Sequence, residues 1–263
     1  MSISQIFNEF GIRPKKFIRA IRNTYKFYKE YMLLKREMKS DIPFKITTLY
    51  PCLHDWDDAG GNASGHYFHQ DLYVASRIFI SNPINHIDIG SRVDGFVAHV
   101  ASFRKVSIID IRKMKTQNVN INYLQADMMD ILPNDFIECA DSVSCLHALE
   151  HFGLGRYGDP IKWDGHLQGY NNLKKMLKKE GILYLSVPIG NQRIEFNAHR
   201  VFSISYIIEM VSKDFQLLKF SYIDDNGDFF EDINFDDNQA LKNYNCHYGC
   251  GIFELKKINN INE

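Results

Sequence analysis

No run of about 18 apolar residues occurs in this 263-residue chain, so a membrane-spanning helix is not expected. The opening MSISQIFNEF lacks the charged-then-apolar order of a secretory signal, and the expected location is the cytoplasm. Cysteine is scarce and odd in number: Cys52, Cys139, Cys145, Cys246 and Cys250, two of them in apparent strands. That pattern suits reduced thiols better than a disulfide framework. Cys246, His247 and Cys250 crowd three ligand types into five residues with no second cysteine pair elsewhere. Such crowding misses the spacing of zinc sites, and no metal is expected. Internal repeats and low-complexity tracts are absent, and the net charge of -1 is close to zero.

The balance of charge hides an asymmetry. Residues 1–40 carry ten Lys/Arg against Glu9, Glu30 and Glu37, or +7, which leaves -8 on residues 41–263. An acidic body cannot follow a phosphate backbone, so nucleic acid is excluded as an expected partner. Composition is otherwise that of an ordinary globular chain, 45 % hydrophobic and 13 % aromatic, long enough for one substantial core.

Residues 1–40 read as a basic helical arm. Pro14 suits a first helical turn, and Phe17, Ile21, Tyr25, Tyr28 and Met32 recur at three- and four-residue steps among Lys and Arg. Residues 13–39 therefore suit peripheral contact with an anionic membrane at its inner face, or packing on the body or within a homodimer. Residues 41–85 form a loop-rich lid, with Pro43, Pro51, Gly60, Gly61 and Gly65, then a leading helix from His69 to Ile80 that turns at Asn82-Pro83.

From residue 86 to 257 strands and helices alternate. Strands are expected at 86–90, 106–110, 121–126, 141–146, 182–187, 215–222 and 249–255, and helices at 95–102, 166–178 and 203–211. Lys179-Glu180-Gly181 is expected to close the second of these helices, 224–237 to be an acidic loop, and 258–263 a tail. The alternation predicts a parallel sheet covered on both faces, whose strand ends share one crevice. At those ends stand Asp88, Gly90, Ser91 and Arg92, then Asp110, then Gln125 to Met128, then Cys145, His147, Glu150 and His151. Gly90 admits a close ligand, Asp110 can accept from a ribose diol, and Asp127 with Met128 can hold an adenine.

This succession of acids after strands resembles the class I S-adenosylmethionine-dependent methyltransferases, and LKKEGILYLSVPIG resembles their turn into the fifth strand. More narrowly, DIGSRVDGFVAHV, SCLHALEHFGLGRYGDP and EFNAHRVF resemble a methyltransferase-like bacterial family found among surface-polysaccharide biosynthesis genes; that likeness spans roughly residues 60–257. The resemblance implies a Rossmann-like α/β fold, a mostly parallel seven-stranded sheet with an antiparallel last strand. It implies S-adenosylmethionine as cofactor, bound by Asp88, Gly90, Ser91, Arg92, Asp110, Asp127, Met128 and His147. One departure is plain: Arg92 and Asp94 stand where glycines are usual, and Gly95 comes one place late.

His147-Ala-Leu-Glu150-His151 also matches an inverted zinc-peptidase motif, but Gly153, Gly155 and Gly158 interrupt any helix there. A hydroxyl acceptor needs a base, and His147, His151 and His199, with Glu150 orienting one of them, are the catalytic candidates. Arg200, Asn197, Tyr67, His69 and Gln70 are the candidates for holding the acceptor, Arg200 through a phosphate or carboxylate or else as a loop-holding ion pair. The expected function is methyl transfer, O-methylation above all, to a sugar or lipid-linked saccharide of capsule or lipopolysaccharide. A nucleotide-sugar enzyme such as a glycosyltransferase, with Arg92 on the diphosphate, and a non-catalytic assembly protein are the alternatives.

Overall fold

A computed structural model describes residues 7–39, 43–57, 61, 63–114 and 120–258. Parts of the 41–65 loop, Gly60 among them, and nearly all of the 258–263 tail lie outside the described residues. The chain divides into two compact units, Met1–Asn62 and Ala63–Glu263.

In the first unit α1 (Pro14–Glu37) runs for 24 residues with proline in its first turn, where the missing N–H has no helical partner to lose. Its buried Asn23 donates Nδ2 to the Leu53 carbonyl at 2.7 Å, and the Lys26 ammonium lies 4.5 Å from the Trp56 ring. These contacts tie the helix to the loop that follows it. No helix among the described residues is long and apolar enough to cross a membrane.

The second unit opens with α2 (His66–Ser81), three residues earlier than the sequence predicts, and then enters the sheet. Its strands are β1 (His86–Ile89), β2 (Val106–Asp110), β3 (Ile121–Gln125), β4 (Ala140–Leu146), β5 (Leu177–Ile189), β8 (Phe215–Ile223), β9 (Phe229–Ile233) and β10 (Gly249–Lys257). β6 (Arg193–Glu195) and β7 (His199–Val201) form a separate hairpin. The sheet order is β3-β2-β1-β4-β5-β10-β8-β9, and the pairs among β1 to β5 are parallel. From β1 the chain winds outward to β3, then returns to β4 on the other side of β1. That reversal leaves a crevice above the C-terminal ends of β1 and β4.

Two expectations about the sheet are corrected. It has eight strands, because the acidic segment 224–237 contains β9, antiparallel to β8. Asp and Glu on this edge hid the alternation, in which Phe230 stacks on Tyr222 at 4.5 Å and Asp232 pairs with Lys219 and Tyr73. Second, α4 (Gly165–Met176) stops before Lys179-Glu180-Gly181. Leu177 already pairs with Ala140, and the three residues bend the start of β5, with Glu180 at φ +63°. The helix expected at 95–102 is a wide turn, Val93–Val97, running into the short α3 (Ala98–Ala101).

Both sheet faces are buried. On one, Val74 and Ile78 of α2 pack with Phe96, Val100, Ile108 and Ile252. On the other, Leu173 and Met176 of α4 and Ile204 and Ile207 of α5 (Ile204–Val211) cover Val143, Leu183, Leu185 and Phe253. Each such side chain contributes roughly 1.5–3 kcal/mol on burial. Between β1 and β4 runs a polar line: Ser144 Oγ donates to Asp88 at 2.6 Å and accepts from His86 Nε2 at 3.2 Å, while His86 Nδ1 accepts from Ser142 Oγ at 2.7 Å. His86 is thereby neutral; burial lowers its pKa to about 3. His166 on α4, 2.7 Å from the Tyr206 hydroxyl, is lowered to about 4 by burial and by Arg200.

Histidines titrating lower in the fold than in the unfolded chain (near 6.5) contribute stability that is complete above that value and lost as pH falls below it. His66, at the start of α2, is likewise lowered by burial to about 4. From pH 7 to 5, His66, His86 and His166 should each withdraw about 2 kcal/mol. Asp88, raised by burial to about 6, works the other way and returns about 1 kcal/mol. Urea unfolding should therefore show these four groups together removing about 4–5 kcal/mol at pH 5; equal stability at both pH values would refute the assignment.

Candidate active site

Two adjoining pockets form one crevice at the sheet's switch point and share Gly90, Asp110, Arg112, His147 and Tyr157. Gly90 follows β1 at φ +71°, and a Cβ there would lie 3.0 Å from the Ala148 Cβ. The position needs glycine twice over, for its backbone and for the closeness of the turn after β4. Asp110 closes β2 with its side chain only 11 % exposed; Arg112 grips both oxygens, Nη2 to Oδ2 at 2.5 Å and Nε to Oδ1 at 3.0 Å. Arg112 also lies over the Tyr157 ring at 4.7 Å. After β3, Ala126, Asp127, Met128 and Met129 line the crevice wall. The Asp127 carboxylate accepts from Met129 N at 2.8 Å, and burial raises its pKa.

Asp88 is elsewhere. Fully buried, it accepts from Ser91 N and Oγ and from Ser144, and borders neither pocket. Its work is to shape the turn that carries Gly90 and Ser91. Arg92 and Asp94 pair at 2.9 Å on the exposed lip, with Arg92 5.4 Å from the Tyr67 ring. The pair cancels its own charge at the place where the usual motif has none. Gly95, the late glycine, makes room for Asp71: a Cβ there would stand 2.6 Å from Asp71 Oδ2.

After β4 the backbone turns sharply, with His147 at φ +48°, and Leu149–His151 make a single 3-10 turn. Glu150 is 1 % exposed. Its Oε1 accepts from His147 Nδ1 at 2.8 Å and lies 3.7 Å from His151 Nε2. Burial alone would lower the His147 pKa, but Cys250 and then Glu150 carry it well above its usual value. Burial would raise Glu150, yet His147 holds it below the usual range. His147 thus keeps a proton at neutral pH. His151 differs: burial lowers its pKa, and Nδ1 donates to the Ala198 carbonyl at 2.7 Å. Nε2 is then the unprotonated nitrogen, and His151, which lines the crevice, is the better base of the two. His199 stands back from the crevice, Nε2 3.3 Å from Glu195 but without hydrogen-bond geometry.

Of the residues expected to hold an acceptor, Tyr67 borders the crevice. Gln70 is buried and accepts from Ser186 Oγ at 2.6 Å; His69 stacks on Phe229; Asn197 is exposed at the β6–β7 turn. Arg200 neither reaches the crevice nor forms an ion pair. Buried, it donates to the carbonyls of Phe152 (2.6 Å), Trp163 (3.1 Å), Glu150 (3.3 Å) and Lys162 (3.5 Å). Arg112 and Tyr157 went unnoticed in the sequence, since no spacing sets Arg112 apart from its neighbour Lys113. His66 and Cys250, far apart in the chain, meet beside His147.

The strand order and the crevice at its reversal define the Rossmann-like fold of the class I methyltransferases. A Burkholderia thailandensis 1,6-didemethyltoxoflavin-N1-methyltransferase, solved with 1,6-didemethyltoxoflavin and S-adenosylhomocysteine, shares it at TM-score 0.53 and 10 % identity, over 94 % of this chain and 91 % of that one. The N-methyltransferase NodS of Bradyrhizobium japonicum WM9 does so at 0.50 and 10 %, over 75 % and 100 %. The [4+2]-cyclase SpnF matches at 0.51 and 12 %, over 72 % and 81 %. Residues 97–248, more than half of the chain, match the family described as Caenorhabditis protein of unknown function, DUF268, and the chain belongs to that family. No curated protein matches the sequence.

Arg200→Ala would leave four carbonyls short of a donor, and should lower stability by about 2–4 kcal/mol in urea unfolding. A binding defect at unchanged stability would instead return Arg200 to the acceptor.

Proposed function

We propose that the chain is an S-adenosylmethionine-dependent methyltransferase that methylates a hydroxyl of a sugar or lipid-linked saccharide during surface-polysaccharide assembly. The observation that carries this reading is the convergence of Gly90, Asp110, Asp127 and Met128 from three strand ends on one crevice with His151 in its wall. The residues fit the cofactor. Gly90 leaves the space that a side chain would fill, Asp110 offers carboxylate acceptors to a ribose diol, and Met128 with Ile111 gives the crevice apolar walls for an adenine.

The bound cofactor would supply an electrophilic methyl group, and the protein must align an acceptor with it. His151 Nε2 takes the acceptor proton, Ala198 fixing its tautomer. Tyr67 and Tyr157 flank the mouth, each against a guanidinium, Arg92 and Arg112, and narrow the entry for an acceptor. The basic arm, +7 over residues 1–40, suits an acceptor carried at the inner face of a membrane or, alternatively, a homodimer contact. A cytoplasmic location follows from the same reading. A nucleotide-sugar enzyme would need Arg92 for its diphosphate, and Arg92 is committed to Asp94.

Calorimetry should show one S-adenosylhomocysteine per chain, bound roughly 10- to 100-fold more weakly by Asp110→Ala, the range for losing a charged hydrogen-bond partner. Absence of binding by the intact chain sinks the proposal. With a saccharide hydroxyl as acceptor, kcat/KM should fall as pH drops through the lowered His151 pKa, giving an acid limb below 6.5. His151→Ala should remove that limb and slow turnover by about 10²- to 10⁴-fold.

A further inference from the structure

The imidazole of His147 is buried on both sides of its ring, yet only one side is bonded. Nδ1 meets Glu150, while Nε2 has no hydrogen-bond partner, and neither has Glu150 Oε2. A histidine that merely filled a core would have to leave a buried nitrogen unsatisfied, at a cost of about 1–3 kcal/mol. His66, the first residue of α2, and Cys250, the second residue of β10, come to this same place, and donor atoms of the three side chains lie within 4.8 Å of one another.

We infer that His66, His147 and Cys250 bind one divalent transition ion of the zinc class. Two imidazoles and a thiolate are borderline-to-soft donors, which suit zinc, cobalt or copper and not magnesium or calcium. Around a tetrahedral ion with bonds of about 2.0–2.3 Å, donor atoms lie roughly 3.3–3.8 Å apart, so the three close inward by about an ångström. The His66 ring, now stacked on His147 at 5.2 Å with planes 7° apart, turns so that its lone pair meets the same point, while Glu150 holds His147 in place. Glu150 then completes the carboxylate–histidine–metal arrangement that orients a ligating imidazole and strengthens it as a donor. Cys250, wholly buried, gives its thiol two long, weak contacts, with Gln70 Oε1 at 3.7 Å and the Gly251 carbonyl at 3.9 Å. Three protein ligands leave a fourth position open, as in sites where an ion meets water or substrate and unlike closed structural sites.

The ion takes the place of the Cys250 thiol proton and of the proton on His147, both of which pass to solvent, and His66 binds through a lone pair it already holds. Affinity therefore rises with pH. Nothing in this inference rests on methyl transfer, and its readouts need no activity.

The full chain, stripped with chelator and titrated with cobalt(II) alone, should bind one ion and develop the near-ultraviolet thiolate-to-cobalt band, which zinc(II) then displaces. Cys250→Ala should lose that band and Cys246→Ala keep it. Glu150→Gln should retain one ion but bind it roughly 10- to 100-fold more weakly. If Cys250→Ala fails to fold, X-ray absorption of the zinc-loaded wild type decides, with one sulfur and two nitrogen ligands expected. No binding by the intact chain, binding without a thiolate band, or a band that survives in Cys250→Ala would overturn the inference.

Discussion

A single buried carboxylate governs the centre of this molecule. Glu150 is 1 % exposed, and an ionised group so far from water costs several kcal/mol unless it is paired. The pairing is with His147 at 2.8 Å, with His151 approaching at 3.7 Å. Meeting both demands folds the chain back on itself directly after β4, at a positive φ for His147 and through one tight turn. Arg200 secures the same turn from outside by holding the Glu150 and Phe152 carbonyls. Without this pinned corner the crevice would have no wall opposite Asp110.

The sheet supplies the other wall, and it does so by topology more than by residue choice. β1 and β4 are neighbours whose helices depart to opposite faces, so their ends part and leave a gap. Gly90 keeps that gap open where β1 ends, against Ala148. Beyond it the lip is unusual. Arg92 and Asp94 neutralise one another at the surface, while Gly95 gives up its side-chain space to Asp71. The altered motif thus keeps its glycines where the backbone crowds another group and spends its charges where solvent screens them.

Much of this was legible in the sequence, for a physical reason. Parallel strands buried on both faces read as apolar runs, and β1, β2 and β4 were placed within a residue or two. β9 was not legible, because an edge strand exposed on one side tolerates Glu231 and Asp232, and its pairing partner lies in β8. The helix α4 was overextended since Gly181 resembles a C-cap, whereas Leu177 is claimed by Ala140 across the sheet. Within the site, strand-end residues such as Asp110, Asp127 and His147 could be found by position. The direction of a side chain could not. Asp88 turns into the sheet, Arg200 turns into carbonyls, and the meeting of His66 with Cys250 depends on how α2 lies across β10.

The two histidines of the corner share one carboxylate, and this makes them unequal. Glu150 spends its hydrogen bond on His147, which keeps its proton, while His151 receives only a 3.7 Å approach and is left neutral by burial. The site thereby separates a proton store from a proton acceptor within five residues. An ion bound at His147 would keep that division. It brings two positive charges and displaces the protons of His147 and of the Cys250 thiol, so the net charge on the far side of Glu150 stays at one positive and His151 faces the same field as before. The store would then hold an ion in place of its proton, while the choice of His151 as the base, fixed by burial and by the Glu150–His147 bond, stays unchanged.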